Sequence, residues 1–264
     1  VSAEIIALAN QKGGVGKSTT TVNLARAAVR RGLRVLVVDL DPQGNLTDAL
    51  AAEPVADDQV GLADVLSARA DEILSDVIVP SIWAGVDIAP TAGDTLASVG
   101  EELITTGAGR ESKLRKALAE VSERYDLILV DCAPSLDQLT INGLTAAHKV
   151  LIVTQSKKWS LDGLAKLLRT IESVREHYNP GLKVAGVLVN QHEGRTIAGQ
   201  TWLDELHAAA EARNFTVLTP PIPKRVVIAD ATEASVALDE WGNAEAMELS
   251  AMYADHLTII QGVK

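Results

Sequence analysis

Seven short apolar runs constrain the fold of this 264-residue chain more than any other feature. They are EIIALA (4–9), RVLVVDL (34–40), VDIAP (86–90), DLILVD (126–131), KVLIVTQ (149–155), KVAGVLVN (183–190) and FTVL (215–218). Most lack the polar alternation of a strand with one wet face, so both of their faces must be covered. Helical spacing fills the intervals at 17–31, 61–67, 110–124, 137–146, 160–178 and 199–213, with a last helix near 243–260. Strands buried on both faces and separated by helices predict an α/β fold: a doubly wound, mostly parallel sheet with helices on each side. Composition agrees, since hydrophobic residues reach 47% while aromatics supply only 3%, which leaves an aliphatic core. No repeat, linker or composition break divides the chain, so a single domain over 1–264 is expected. The stretch from 48 to 81 is the least regular, and its topology stays open.

No apolar run approaches the roughly 18–20 residues that cross a bilayer, and the amino terminus lacks the basic flank of a secretory signal. One cysteine, Cys132, excludes an internal disulfide or a CxxC pair. It is expected to pack as a small apolar residue, and a cytoplasmic protein is the plain reading. A net charge of −11 argues against bulk attraction to DNA or anionic lipid. The charge is uneven, however. Residues 149–225 hold 11 Lys/Arg against 7 Asp/Glu, a local +4 that leaves −15 for the rest. That region reads either as a polyanion-binding face or as ordinary surface scatter.

The segment NQKGGVGKST (10–19) follows the first strand and opens a helix. Glycines 13, 14 and 16 let the backbone curl so that its N–H groups point at phosphate oxygens, and the helix start adds its positive dipole end. The cradle would run from Lys12 through Gly13, Gly14, Val15, Gly16, Lys17, Ser18 and Thr19. Lys17 would neutralise the β- and γ-phosphates, and the Ser18 hydroxyl would hold Mg²⁺. The motif departs from G-x-x-x-x-G-K-[ST] in having Gln11 at the first glycine and an extra lysine, Lys12.

KGGVGKST resembles the deviant Walker A box of the ParA/MinD family of ATPases, a P-loop NTPase-like fold. The likeness continues in VDLDPQGNLT (38–47), LILVDCAPSL (127–136) and VLVNQHEGRT (187–196), and so covers most of the chain. It implies that Lys12 is the signature lysine, which reaches across a dimer to the partner's nucleotide and offsets charge developing in the transition state. ATP and Mg²⁺ are the implied cofactors, and slow ATP hydrolysis the implied reaction.

Asp131 ends an apolar strand, where a buried carboxylate is costly without a cation. By position it is a Walker B acid that orients Mg²⁺; capping the next turn is the other reading. Asp39 and Asp41 lie two residues apart where the second apolar run gives way to a turn. The resemblance implies that Asp41 positions the attacking water near Mg²⁺ and that Asp39 is structural, while Asp-Pro-Gln-Gly also spells a turn. The Asn190 amide could match the N6/N1 edge of adenine or cap a turn. Pro221 and Pro223 could wall the base. Trp159 and Trp202 are expected as core anchors, and the histidines show no ligand spacing.

Within the family the chain resembles the short ParA and Soj forms, since it begins at the first strand. This implies an ATP-bound sandwich homodimer that binds non-specific duplex DNA on the nucleoid, stimulated by a ParB-like centromere-binding partner. A relative that positions a protein cargo would share every motif. A MinD-like membrane regulator needs a basic amphipathic helix at its end, whereas this chain ends acidic with only Lys264 positive, and no membrane partner is expected. Cluster-carrying electron-transfer relatives need more cysteines. The match to short ParA proteins puts DNA-contacting cations at Arg195, Lys224 and Arg225; solvated loop charge is the bland reading, and Lys157 with Lys158 the rival patch. Two stretches depart from the family pattern: SKKWSLDGL after Gln155, and PKRVVIADATEAS, where relatives commonly read PRNVRLSEAPS.

Overall fold

A computed structural model describes residues 2–157 and 160–262. Its strands are β1 (Glu4–Ala9), β2 (Val35–Leu40), β3 (Val79–Pro80), β4 (Val86–Ala89), β5 (Leu127–Cys132), β6 (Lys149–Gln155), β7 (Lys183–Asn190) and β8 (Val217–Leu218). The α-helices are α1 (Lys17–Val29), α2 (Asn45–Leu50), α3 (Leu62–Leu66), α4 (Leu74–Val77), α5 (Thr95–Thr105) and α6 (Lys113–Val121). They continue with α7 (Gln138–Ala146), α8 (Ser160–His177), α9 (Ile197–Arg213), α10 (Val226–Glu233) and α11 (Ala244–Gln261).

The strands form one eight-stranded sheet in the order β3-β4-β2-β5-β1-β6-β7-β8. Every pairing is parallel except β3 with β4. Alternate residues of each inner strand enter different cores, which is why the runs carry no polar alternation. Ile5, Ala7, Leu36, Val38, Ile128 and Val130 meet α3 to α9 on one face. Ile6, Leu8, Val35, Val37, Leu127 and Leu129 meet α1, α10 and α11 on the other. The doubly wound prediction therefore holds.

Sequence reading missed β3, α2, α4, α5 and α10, and it stretched β8 from two residues to four. The chain leaves β1 toward β2 on one side, while β6 lies on the other. The carboxyl ends flanking β1 are thus the switch point where ligands bind in doubly wound sheets.

Candidate functional site

Five strand ends converge there. β1 delivers the glycine loop, β2 delivers Asp41, β5 Asp131, β6 Gln155 and β7 Asn190. The loop closes through Asn10, whose Nδ2 donates to the Val153 carbonyl at 2.6 Å and whose Oδ1 accepts the Lys12 N–H at 3.0 Å. Gly14 and Gly16 have φ of 70° and 86°, the left-handed region that side chains disfavour. Gly16 caps α1 without a side-chain acceptor, which leaves the first N–H groups of that helix free to meet an anion. The resulting cavity, about 410 Å³, is lined by Gly13, Gly14, Gly16, Lys17, Ser18, Thr19, Asp41 and Gln191, among others. Val15 and Lys17 are buried and Lys12 is exposed. Among the described residues, no carboxylate lies within ion-pairing distance of Lys12.

Asp39 and Asp131 sit opposite one another in the β2–β5 register, both fully buried on the α1 side of the sheet. Thr47 donates its N–H (2.8 Å) and its hydroxyl (2.7 Å) to Asp39. Burial still raises the Asp39 carboxyl to about 6. Asp131 has no such support, because neither of its oxygens has a hydrogen-bond partner. Burial, and then the facing Asp39, push its carboxyl to about 8; nearby Ser18 and Lys17 ease the charge without closing a hydrogen bond to it. A buried, partnerless carboxylate beside a serine hydroxyl and a phosphate-type loop fits Mg²⁺. Mg²⁺ takes one or two protein oxygens and completes its shell with phosphate and water. The Asp41 N–H donates to Asp39 Oδ1 at 3.3 Å, while its side chain lines the cavity and accepts the Gln43 N–H at Oδ1 at 3.1 Å. Cys132 is fully buried, and burial drives its thiol up.

Asn190, the candidate adenine reader, is hydrogen-bonded within its own chain. Its Nδ2 donates to the Val15 and Gly16 carbonyls at 3.2 and 3.3 Å, and its Oδ1 accepts the Gln191 N–H at 2.8 Å. The amide nitrogen braces the phosphate loop while the oxygen is taken by the next residue of its own chain, so a base edge would have to replace these bonds. Beside it lies a smaller cavity of about 300 Å³, lined by Thr19, Asn190, Gln191, Pro223, Val226, Ile228 and neighbours. Pro223 walls this cavity, whereas Pro221 is not among the residues lining it.

Gln155 and Gln191 escaped the sequence reading. Both side chains donate to the Gly14 carbonyl, at 3.0 and 3.3 Å, and Gln155 also donates to Gln191 Oε1 at 2.6 Å. Their signal was the one that marked Asp131: a polar residue at the end of an apolar strand. Trp202 is half-buried on α9; Trp159 and Lys158 lie outside the described residues.

Arg195, Lys224 and Arg225 are brought together around a third concavity of about 640 Å³, which Glu193 and Glu245 share. Lys224 Nζ lies 2.8 Å from Glu193 and Arg225 Nε 2.7 Å from Glu245. Arg195 is exposed with no ion pair among the described residues, and Lys157 is exposed as well.

A glycine loop between the central strand and its helix, with a buried lysine and an orphan carboxylate beside it, defines a P-loop nucleotide-binding protein. Residues 3–184 match the family described as an AAA domain, AAA_31. The chain is 40% identical over 228 residues to the sporulation initiation inhibitor protein Soj of Bacillus subtilis, covering 86% of this chain and 87% of that one. It is also 40% identical over 226 residues to the chromosome-partitioning ATPase Soj of Thermus thermophilus, covering 86% and 83%. Cobyrinic acid a,c-diamide synthase from Mycobacterium smegmatis, solved with an ATP analogue and magnesium, superposes with a TM-score of 0.76 at 37% identity. That superposition covers 90% of this chain and 96% of that one. The chain belongs to the ParA/Soj-type family of partitioning ATPases, with ATP and Mg²⁺ as cofactors and ATP hydrolysis as its reaction. Among the described residues no helix is long and apolar enough to cross a membrane.

Proposed function

We propose that the chain acts as one ATPase domain in DNA partitioning. Its ATP-bound form is a sandwich homodimer on the nucleoid that binds duplex DNA without sequence preference. A ParB-like partner stimulates its slow hydrolysis. The observation that carries this reading is the contrast between the two loop lysines. Lys17 is only 6% exposed and lines the phosphate cavity, while Lys12 is exposed with no counter-ion in its own chain among the described residues. One lysine is seated to serve the nucleotide of its own subunit, and the other is free to reach a facing subunit.

In this reading the backbone of Gly13, Gly14, Val15 and Gly16 cradles the phosphates, with Thr19 at the start of the helix. Ser18 and Asp131 would hold Mg²⁺, which would supply counter-charge to the phosphates. Asp41 would orient water for attack on the metal side of the site, while Lys12 from the facing subunit would offset the charge that builds in the transition state. Asn190, Pro223 and more remotely Pro221 form the adenine side. Arg195, Lys224 and Arg225 contact DNA phosphates, and dimerisation joins two such patches into one bivalent surface.

Sedimentation with and without ATP, alongside nucleotide titration, tests the site. Lys17→Ala should abolish nucleotide binding. Lys12→Ala should retain binding while losing the ATP-dependent dimer and turnover. Asp41→Ala should trap the dimer with ATP bound. Equal loss of nucleotide affinity in both lysine variants, with dimerisation intact, would refute the cross-subunit role.

A further inference from the structure

Two of the three cations of the proposed DNA face are paired within the chain. Lys224 and Arg225 each meet a carboxylate of the same chain at 2.8 and 2.7 Å, and the two acids come from different elements. Glu193 sits in the loop after β7. Glu245 sits in the first turn of α11, where the helix dipole favours an anion. Backbone bonds hold the first pair in place: Ile222 N–H donates to the Val189 carbonyl, His192 N–H to Ile222 and Lys224 N–H to His192, at 2.9, 2.9 and 3.0 Å. The loop carrying Glu193 is thus stitched to the segment carrying Lys224. All four side chains are 42–61% exposed. Pairs this exposed are weak and exchange readily for another anion. Counting Arg195, the concavity holds three cations and two acids. Lys157 also lies close enough to Glu193 to help Lys224 hold that carboxyl below its usual range.

We infer that Glu193 and Glu245 are affinity-setting residues of the DNA face: each occupies the cation that a phosphate would take, and repels that phosphate. The inference rests on the proposed DNA reading and deepens it. A site reduced to a net +1 in one chain holds DNA poorly, whereas two such sites on a dimer suffice together, so the acids make DNA binding conditional on dimerisation. Without them a single subunit would present three unopposed cations in one concavity.

The experiment compares Glu193→Gln, Glu245→Gln, the double variant and the Arg195/Lys224/Arg225 triple alanine variant. The probe is a random-sequence duplex, with ATP or ADP, at several salt concentrations. Each glutamine should raise affinity by up to about fivefold, the worth of an exposed ion pair. The double variant should steepen the log–log salt slope, by up to about 0.9 for each phosphate newly neutralised. It should also give measurable DNA binding with ADP. A gain of binding cannot come from misfolding. If the triple alanine variant loses affinity but the glutamine variants match wild type, the acids do not compete with phosphate and the inference fails alone. If the triple alanine variant also matches wild type in affinity and slope, the DNA face itself is wrong.

Discussion

Asp131 is the residue on which the site turns. It lies one residue before the end of a strand whose side chains are all buried, opposite a second buried acid, and no donor reaches either of its oxygens. Leaving a buried carboxylate without partners costs free energy unless a cation arrives. Asp131→Asn keeps the shape and removes one of two facing acids. Nucleotide titration should then lose its Mg²⁺ dependence, with Mg²⁺-supported affinity falling about tenfold or more. Melting without nucleotide should occur at or above the wild-type temperature. Retained Mg²⁺ dependence would remove Asp131 from the metal site. The position was legible in the sequence because a lone acid closing an apolar run has few benign explanations. The bonds of Asn190 were not legible: an amide after a strand reads equally as a base reader or a brace, and only the fold places it behind the glycine loop.

Gly16 shows how two elements depend on one atom. It joins the loop to α1 at φ 86°, and a Cβ there would lie 2.1 Å from Asn190 Nδ2 at the end of β7. Gly16→Ala should cost about 1–2 kcal/mol from the left-handed backbone alone, with more from the collision. Asn190→Ala removes the obstacle along with its bonds to the loop. The double variant should therefore be more stable in urea than the sum of the single effects allows. Simple additivity would mean that the two do not touch. The same scale explains which elements the sequence revealed. Strands covered on both sides announce themselves, whereas β3 is two residues of an antiparallel edge and α2 and α4 are too short to show a helical period. α5 hides behind Gly100, a poor helix former that lies close to Leu139. The acid that pairs with Arg225 lies twenty residues along the chain and was invisible for that reason.

At the scale of the whole molecule, α11 closes the core on the α1 side of the sheet by burying Leu249, Tyr253, Leu257 and Ile260. His256 goes in with them. Its Nε2 lies 2.9 Å from the Pro220 carbonyl and donates to it, so the neutral ring already spends its one proton there. The other nitrogen, Nδ1, is buried with no partner. Burial lowers the His256 pKa, and the Pro220 carbonyl and Asp255 offset that only in part. In the unfolded chain the ring titrates near 6.5. Between the lowered folded value and about 6.5, the unfolded state binds the extra proton and the folded state does not. Stability from this group is therefore complete above about pH 6.5 and is lost as pH falls through that window, by at most about 1.4 kcal/mol per pH unit. Gln at 256 could still donate to Pro220 but cannot titrate. Urea unfolding from pH 7.5 to 5 should show wild type losing stability faster than His256→Gln below about pH 6.5, whatever their difference at pH 7.5. Parallel curves would mean that the proton finds a partner at Nδ1 and that this helix does not make the fold acid-sensitive.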